Sequence, residues 1–163
     1  MSGHYYSVTI AVKGRELEFP KKSVDYVIVY LSNNRFEMKI SSNIGCLASL
    51  KVLDLSNNNL IGQVPFVLGN LSEFESLDLS WNQLTGEIPR SLADLTFLGF
   101  LNLSQNHLVG PIPSGTQFST FFTSFEVNPE LCSLLLPKKC EHPLEPQTEV
   151  DGDGDGDDEN GFT

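Results

Sequence analysis

The sequence predicts a leucine-rich repeat solenoid: a fragment of an α/β-type horseshoe with short parallel strands on its concave face, preceded by a β-hairpin and followed by a disordered acidic tail. Three observations predict it. One motif is written three times at a spacing of 24 residues, as LKVLDLSNNNLIGQVP, FESLDLSWNQLTGEIP and LGFLNLSQNHLVGPIP. A stretch before the motifs alternates apolar and polar residues, and a stretch after them is almost purely Asp and Gly. Self-similarity at this period marks a stack of coils in which each turn buries its leucines against its neighbours.

Residues 1–25 do not obey the repeat. Val8, Ile10 and Val12 alternate with Thr9 and Ala11, and after Lys13-Gly14 the alternation resumes through Leu17 and Phe19. That reads as two strands joined by a tight turn. A lone hairpin is marginal, so it should lean on the first repeat or on a further part of the protein.

Residues 26–113 read as four repeats, the first degenerate. Tyr26, Val29, Leu31, Asn34 and Phe36 fall on the positions of Leu50, Leu53, Leu55, Asn58 and Leu60, but Met38 and Ser41 stand where Gly62 and Pro65 should be. The first turn should therefore coil like the others with a distorted back side. Within a good copy, Leu53 and Leu55 point inward from a short strand, while Val52, Asp54 and Ser56 face out. The amides of Asn58, Asn82 and Asn106 can bond the backbone of adjacent turns and satisfy polar groups that the bend buries. Gly62 permits a backbone denied to other residues, Pro65 stiffens the way to the convex side, and Leu68 and Leu71 bury the return stretch.

Residues 114–140 carry Phe118, Phe121, Phe122 and Phe125 ahead of NPELCSLLLPKKC. A terminal repeat must cover the last exposed leucines, and an aromatic cluster closed by a disulfide suits that task. Cys132 and Cys140 sit together and suit a pair, leaving Cys46 as a free thiol without an assigned role. Such a bridge adds roughly 2–3 kcal/mol in an oxidising compartment.

Residues 141–163 form a solvated, disordered tail. They hold nine acidic and no basic side chains, so the chain's formal charge of -11 falls to -2 over the first 140 residues. A body that nearly neutral offers no footprint for nucleic acid. Asp151, Asp153, Asp155 and Gly156 match the first half of a calcium loop, but the twelfth position is Phe162 instead of Glu and no helices flank it, so no metal site is assigned. No apolar run approaches the roughly 18 residues of a membrane span. The first residues also lack a signal peptide's layout.

Nothing assembles a catalytic site. His4, His107 and His142 are far apart, and neither a phosphate loop nor a nucleophile elbow occurs. The chain reads as non-enzymatic, without cofactor. What remains is the concave face, the usual binding surface of a solenoid. Its candidate residues are Tyr30, Asp54, Asp78, Trp81, Phe100, Asn102 and Gln105, with Trp81 and Phe100 as anchors for a protein partner; Trp81 packing on its neighbours is the other reading. Asn70-Leu71-Ser72 and Asn102-Leu103-Ser104 are glycan acceptors if the chain is secreted, or merely the repeat's own letters.

The motif LxxLxLSxNxLxGxIP, the opening YYSVTIAVKGRELEF, the stretch GTQFSTFFTSFEVNPELC with its second cysteine, and the acidic run together resemble the C-terminal part of plant leucine-rich repeat receptor-like proteins of the disease-resistance type. The resemblance covers nearly the whole chain. It implies that Ser7–Phe19 end an island between repeats, that Cys132 and Cys140 close the cap, and that Asp151–Glu159 lie beside a membrane helix outside this sequence. It further implies a protein-binding module on the extracellular side of the plasma membrane. Its partners would be a co-receptor kinase and a peptide or protein ligand, in defence or developmental signalling. Without signal peptide, upstream array or membrane helix, the chain reads as a truncated product or gene-model fragment. The alternatives are the ectodomain remnant of a receptor kinase, a secreted inhibitor of cell-wall-degrading enzymes, and a nonfunctional fragment.

Overall fold

The computed structural model describes residues 6–12, 15–21, 27–115, 117–133 and 136–141, with side chains described from Val27 onward except that of Phe122. The chain order is β1 (Tyr6–Val12), β2 (Arg15–Lys21), β3 (Val27–Tyr30), β4 (Leu50–Asp54), β5 (Ile61–Gln63), β6 (Ser76–Asp78), β7 (Gln83–Glu87), β8 (Phe100–Asn102), β9 (His107–Pro111) and β10 (Glu130–Cys132). β1 and β2 form an antiparallel hairpin, Val12 opposite Arg15, and β1 approaches the short 3-10 turn Ser42–Cys46. The acidic residues beyond Glu141, and the calcium-loop match among them, lie outside the described residues.

Each later coil has three sides. The first is a strand of the parallel sheet β3-β4-β6-β8, whose leucines alternate inward: Leu53, Leu77 and Leu101 are all at most 2% exposed. The second is a strand of another parallel sheet, β5-β7-β9-β10. The third is a single 3-10 turn, Phe66–Asn70 or Arg90–Asp94, opened by Pro65 or Pro89. Proline's fixed φ suits that first position, and its missing N–H costs nothing there. Every fully buried leucine side chain contributes about 2 kcal/mol by leaving water.

The asparagines hold the coils together. Asn82 Nδ2 donates to the carbonyl of Leu55 in the preceding turn at 3.0 Å and to Leu79 and Ser80 in its own turn. Its Oδ1 accepts the Leu60 N–H of the preceding turn at 2.9 Å. Asn58 and Asn106 repeat the pattern. One side chain thus satisfies backbone groups of two turns that the bend would otherwise bury unpaired. Between the good repeats the first sheet pairs residues 24 apart, such as Val52 with Ser76, and the second pairs residues 22 apart, such as Ile61 with Gln83. The two sheets are therefore sheared by two residues.

The second sheet was not legible from a single copy of the motif. Gly62, Gly86 and Gly110 lie inside or beside its strands with φ near +78°, a region open to glycine. In the degenerate first turn, where Met38 replaces that glycine, only a bridge from Lys39 to Ile61 survives in place of a strand.

After Pro113 the coil pattern continues in altered form. Asn128 takes the ladder position, donating to Leu103 O at 3.0 Å and accepting the Leu108 N–H at 3.0 Å. Leu103 and Gln105 donate their N–H groups to Ser124 O and Glu126 O, so the open edge beside β8 is covered. Phe118 and Phe125, each 4% exposed, pack at 5.8 Å between ring centroids and close the apolar interior. Cys132 and Cys140 form a disulfide, and Cys46 is a free, exposed thiol.

Candidate protein-binding face

The outward positions of the first sheet form rows because paired strands place equivalent residues side by side. One row runs Ile28, Val52, Ser76, Phe100, and the next runs Tyr30, Asp54, Asp78, Asn102. Neighbours within a row are about 4.8 Å apart, the spacing of adjacent strands. Tyr30 is 66% exposed, Phe100 49% and Ile28 46%. Three large apolar side chains thus stand in water on one rigid sheet.

The second row is locked from below. Asp54 Oδ1 accepts the Ser56 N–H at 3.0 Å and its hydroxyl at 2.7 Å; Asp78 holds Ser80 at 2.9 and 2.6 Å. Asn102 makes the same pair of bonds to Ser104, at 3.2 and 2.7 Å. An amide oxygen therefore substitutes for the carboxylate in this arrangement. Ser80 departs from its expected outward position: it is 4% exposed, folded under Asp78 by these bonds. Neither Asp54 nor Asp78 has a Lys or Arg within ion-pair distance among the described residues. The basic residue on β4, Lys51, instead pairs with Glu75 at 2.8 Å.

Trp81 and Gln105 stand off the strands. They occupy the corner that follows, with φ of 55° and 57°, in register with Asn33 and Asn57. Each corner N–H bonds the next turn, Trp81 to Ser104 O at 3.1 Å, so the left-handed backbone is held in place. Trp81 is 59% exposed and stands beside the sheet. Tyr30, Asp54, Asp78, Phe100 and Asn102 share the sheet face, and Trp81 and Gln105 border it.

Of the remaining candidates, Asn70 is exposed at the end of a 3-10 turn and Asn102 is half-buried on β8. His107 is exposed. Among the described residues no group of three or more His, Cys, Asp or Glu is placed to hold a metal ion, and no helix is long and apolar enough to cross a membrane. The structure adds a lateral groove of about 980 Å³ between the second sheet and the 3-10 turns, where Lys39, Phe66, Glu87 and Arg90 meet. Phe66 and Arg90 are the residues that follow Pro65 and Pro89, a position that differs between copies, and that variation was the available signal.

Residues 48–108 match the family model described as Leucine rich repeat. The fold is a leucine-rich repeat solenoid. Among solved structures the chain is similar to the ectodomain of the receptor kinase SOBIR1 from Arabidopsis thaliana, at 25% identity over 78% of this chain and 82% of that one, with a TM-score of 0.55. It is 33% identical to the Arabidopsis receptor kinase HAESA, solved with the peptide hormone IDA and the co-receptor SERK1, over 65% of this chain at a TM-score of 0.51. It is 34% identical to the GASSHO1/SCHENGEN3 ectodomain of Arabidopsis thaliana, solved with CASPARIAN STRIP INTEGRITY FACTOR 2, over 70% of this chain at a TM-score of 0.50. The chain spans only 22% of HAESA and 16% of GASSHO1/SCHENGEN3. No curated protein matches the sequence. The leucine-rich repeat solenoid thus resembles, in fold and sequence, the extracellular parts of plant receptors.

Proposed function

We propose that this leucine-rich repeat chain is a non-enzymatic protein-binding module of a plant cell-surface receptor-like protein, acting in defence or developmental signalling with a co-receptor kinase. One observation carries the reading: Tyr30 and Phe100 are presented to solvent by a sheet, and Trp81 by the corner that borders it, on a backbone bonded turn to turn. Rigid aromatic side chains on a fixed scaffold are what protein interfaces use as anchors. Complexes of similar receptors with a peptide hormone and a co-receptor support a partner of the same kind. In this reading residues 1–25 are an island hairpin, 26–113 four repeats, 114–140 a cap closed by Cys132 and Cys140, and 141–163 an acidic segment leading to the membrane.

Calorimetric titration of the chain with the SERK1 ectodomain tests the proposal. Binding that weakens at least tenfold in Phe100→Ala or Tyr30→Ala, with melting temperature unchanged, is the expected result. Heat of binding that neither substitution alters would place the contact elsewhere and reject the concave face. Of the two sequons, Asn70 points to solvent and is proposed as a glycan acceptor. A glycan on Asn102 would cover the row beside Asp78, so peptide mass mapping of protein secreted from plant cells should find Asn70 modified and Asn102 bare.

A further inference from the structure

We propose that the concave face selects a basic segment: an extended stretch of a protein or peptide partner that seats one arginine between Asp54 and Asp78 and lays an apolar side chain beside it on Val52, Ser76 and Phe100. The inference rests on the binding role just proposed for this face. It begins from an arrangement that the chain alone leaves unfavourable. Asp54 and Asp78 are directly paired across β4 and β6, about 4.8 Å apart, and like charges in that relation repel. Each carboxylate spends Oδ1 on its own serine, which fixes its orientation without neutralising it. No described Lys or Arg comes within ion-pair distance of either.

The surroundings narrow the chemistry of the cation. Tyr30 is next to Asp54 in the same row and 66% exposed, so a group held by the two carboxylates also meets an aromatic ring. A guanidinium satisfies both demands, through its fork of N–H donors and its planar stacking on the ring, where an ammonium serves only the charge. The adjacent row supplies an apolar ledge, low at Ser76 and bounded by Val52 and Phe100. The four strands span about 14 Å, room for about four extended residues crossing them. Those dimensions suit a segment rather than a domain face.

Asn102 provides the control. It occupies the fourth position of the row, next to Asp78, and bonds Ser104 as the aspartates bond their serines, so Asp54→Asn/Asp78→Asn removes the charge while keeping every local bond. The probes are three fluorescent hexapeptides of alternating glycine and leucine with Arg, Lys or Glu at the centre, titrated by anisotropy into the chain and its variants. The expected order is Arg tighter than Lys and at least tenfold tighter than Glu. The advantage of Arg should shrink as NaCl rises from about 0.05 to 0.5 M and vanish in the double Asn variant, whose melting temperature does not fall below that of the parent. Equal binding of the Arg and Glu peptides, an Arg preference that survives in the double Asn variant, or no binding of any probe overturns the proposal. A concentration-dependent dimer lost in that variant also overturns it, by making a second copy the occupant. Phe100→Ala separates the two levels of the argument. If it weakens all three peptides alike without any charge preference, the face binds but does not select; if it changes nothing, the face is not the binding surface.

Discussion

Asn82 is the residue on which the coils depend most visibly. It is 7% exposed, makes three donor bonds and accepts one, and two of these partners belong to the turn before it. Asn82→Ala leaves the buried Leu60 N–H without an acceptor and removes a donor from Leu55 O, so a loss of about 3 kcal/mol is expected. Asn34 is exposed and, among the described residues, its side chain bonds only Leu31 and Ser32 of its own turn. Its replacement by Ala should cost under about 1 kcal/mol. Urea titration of both variants checks the contrast, and equal losses would mean that joining the turns adds nothing. The ladder was readable in the sequence because Asn58, Asn82 and Asn106 keep step at 24 residues. Asn128 was not, because the last interval shortens to 22 and Val127 replaces the corner residues at a φ of 54° that a β-branched side chain rarely takes.

At the scale of the element, the 3-10 turns stack so closely that side-chain size is set by the neighbouring coil. A Cβ on Gly69 would lie 2.2 Å from Ser91 Cβ and 2.5 Å from its carbonyl carbon, whereas one on Gly99 would meet nothing nearer than Glu75 O at 4.0 Å. Gly69→Ala should therefore destabilise by roughly 2–3 kcal/mol, since backbone must shift. Gly99→Ala should be neutral or stabilising by up to about 1 kcal/mol, through a less flexible unfolded chain. Thermal melts of the two single variants decide it; similar melting temperatures would show that the coils separate easily at this edge. The first sheet was legible from the alternation of Leu53 and Leu55 with Val52 and Asp54. The second sheet was not, because three-residue strands such as β5 have no alternation of their own and exist only by pairing with the next coil.

Across the whole molecule the two ends of the described solenoid differ. The C-terminal end is covered by Phe118, Phe125 and the Ser124 carbonyl, and it is closed by a disulfide. At the other end Val29, Leu31, Phe36, Met38 and Ile44 line a cavity of about 50 Å³, and among the described residues β3 pairs on one side only. In a stack held by nearest-neighbour contacts, opening spreads from the weaker end. Amide exchange should accordingly be fastest in the first coil and slowest at Leu77, Leu79 and Leu84 of the third. Uniform protection would instead show one cooperative unit. The candidate face was legible as positions, since outward letters of a strand follow from its period. That neither aspartate beside Tyr30 has a described Lys or Arg within ion-pair distance depends on where Lys51 turns, and no spacing reveals that.

The asparagine joint has a consequence for how such a protein changes. Each amide reaches one turn back and no further, so the joint between two coils is the same object wherever it occurs in the stack. A 24-residue block can be copied, removed or exchanged without refitting the others, and the new block brings its own outward letters into the rows. Length and recognition can therefore vary independently: the interior sets how coils meet, and shuffling whole coils rewrites what they present.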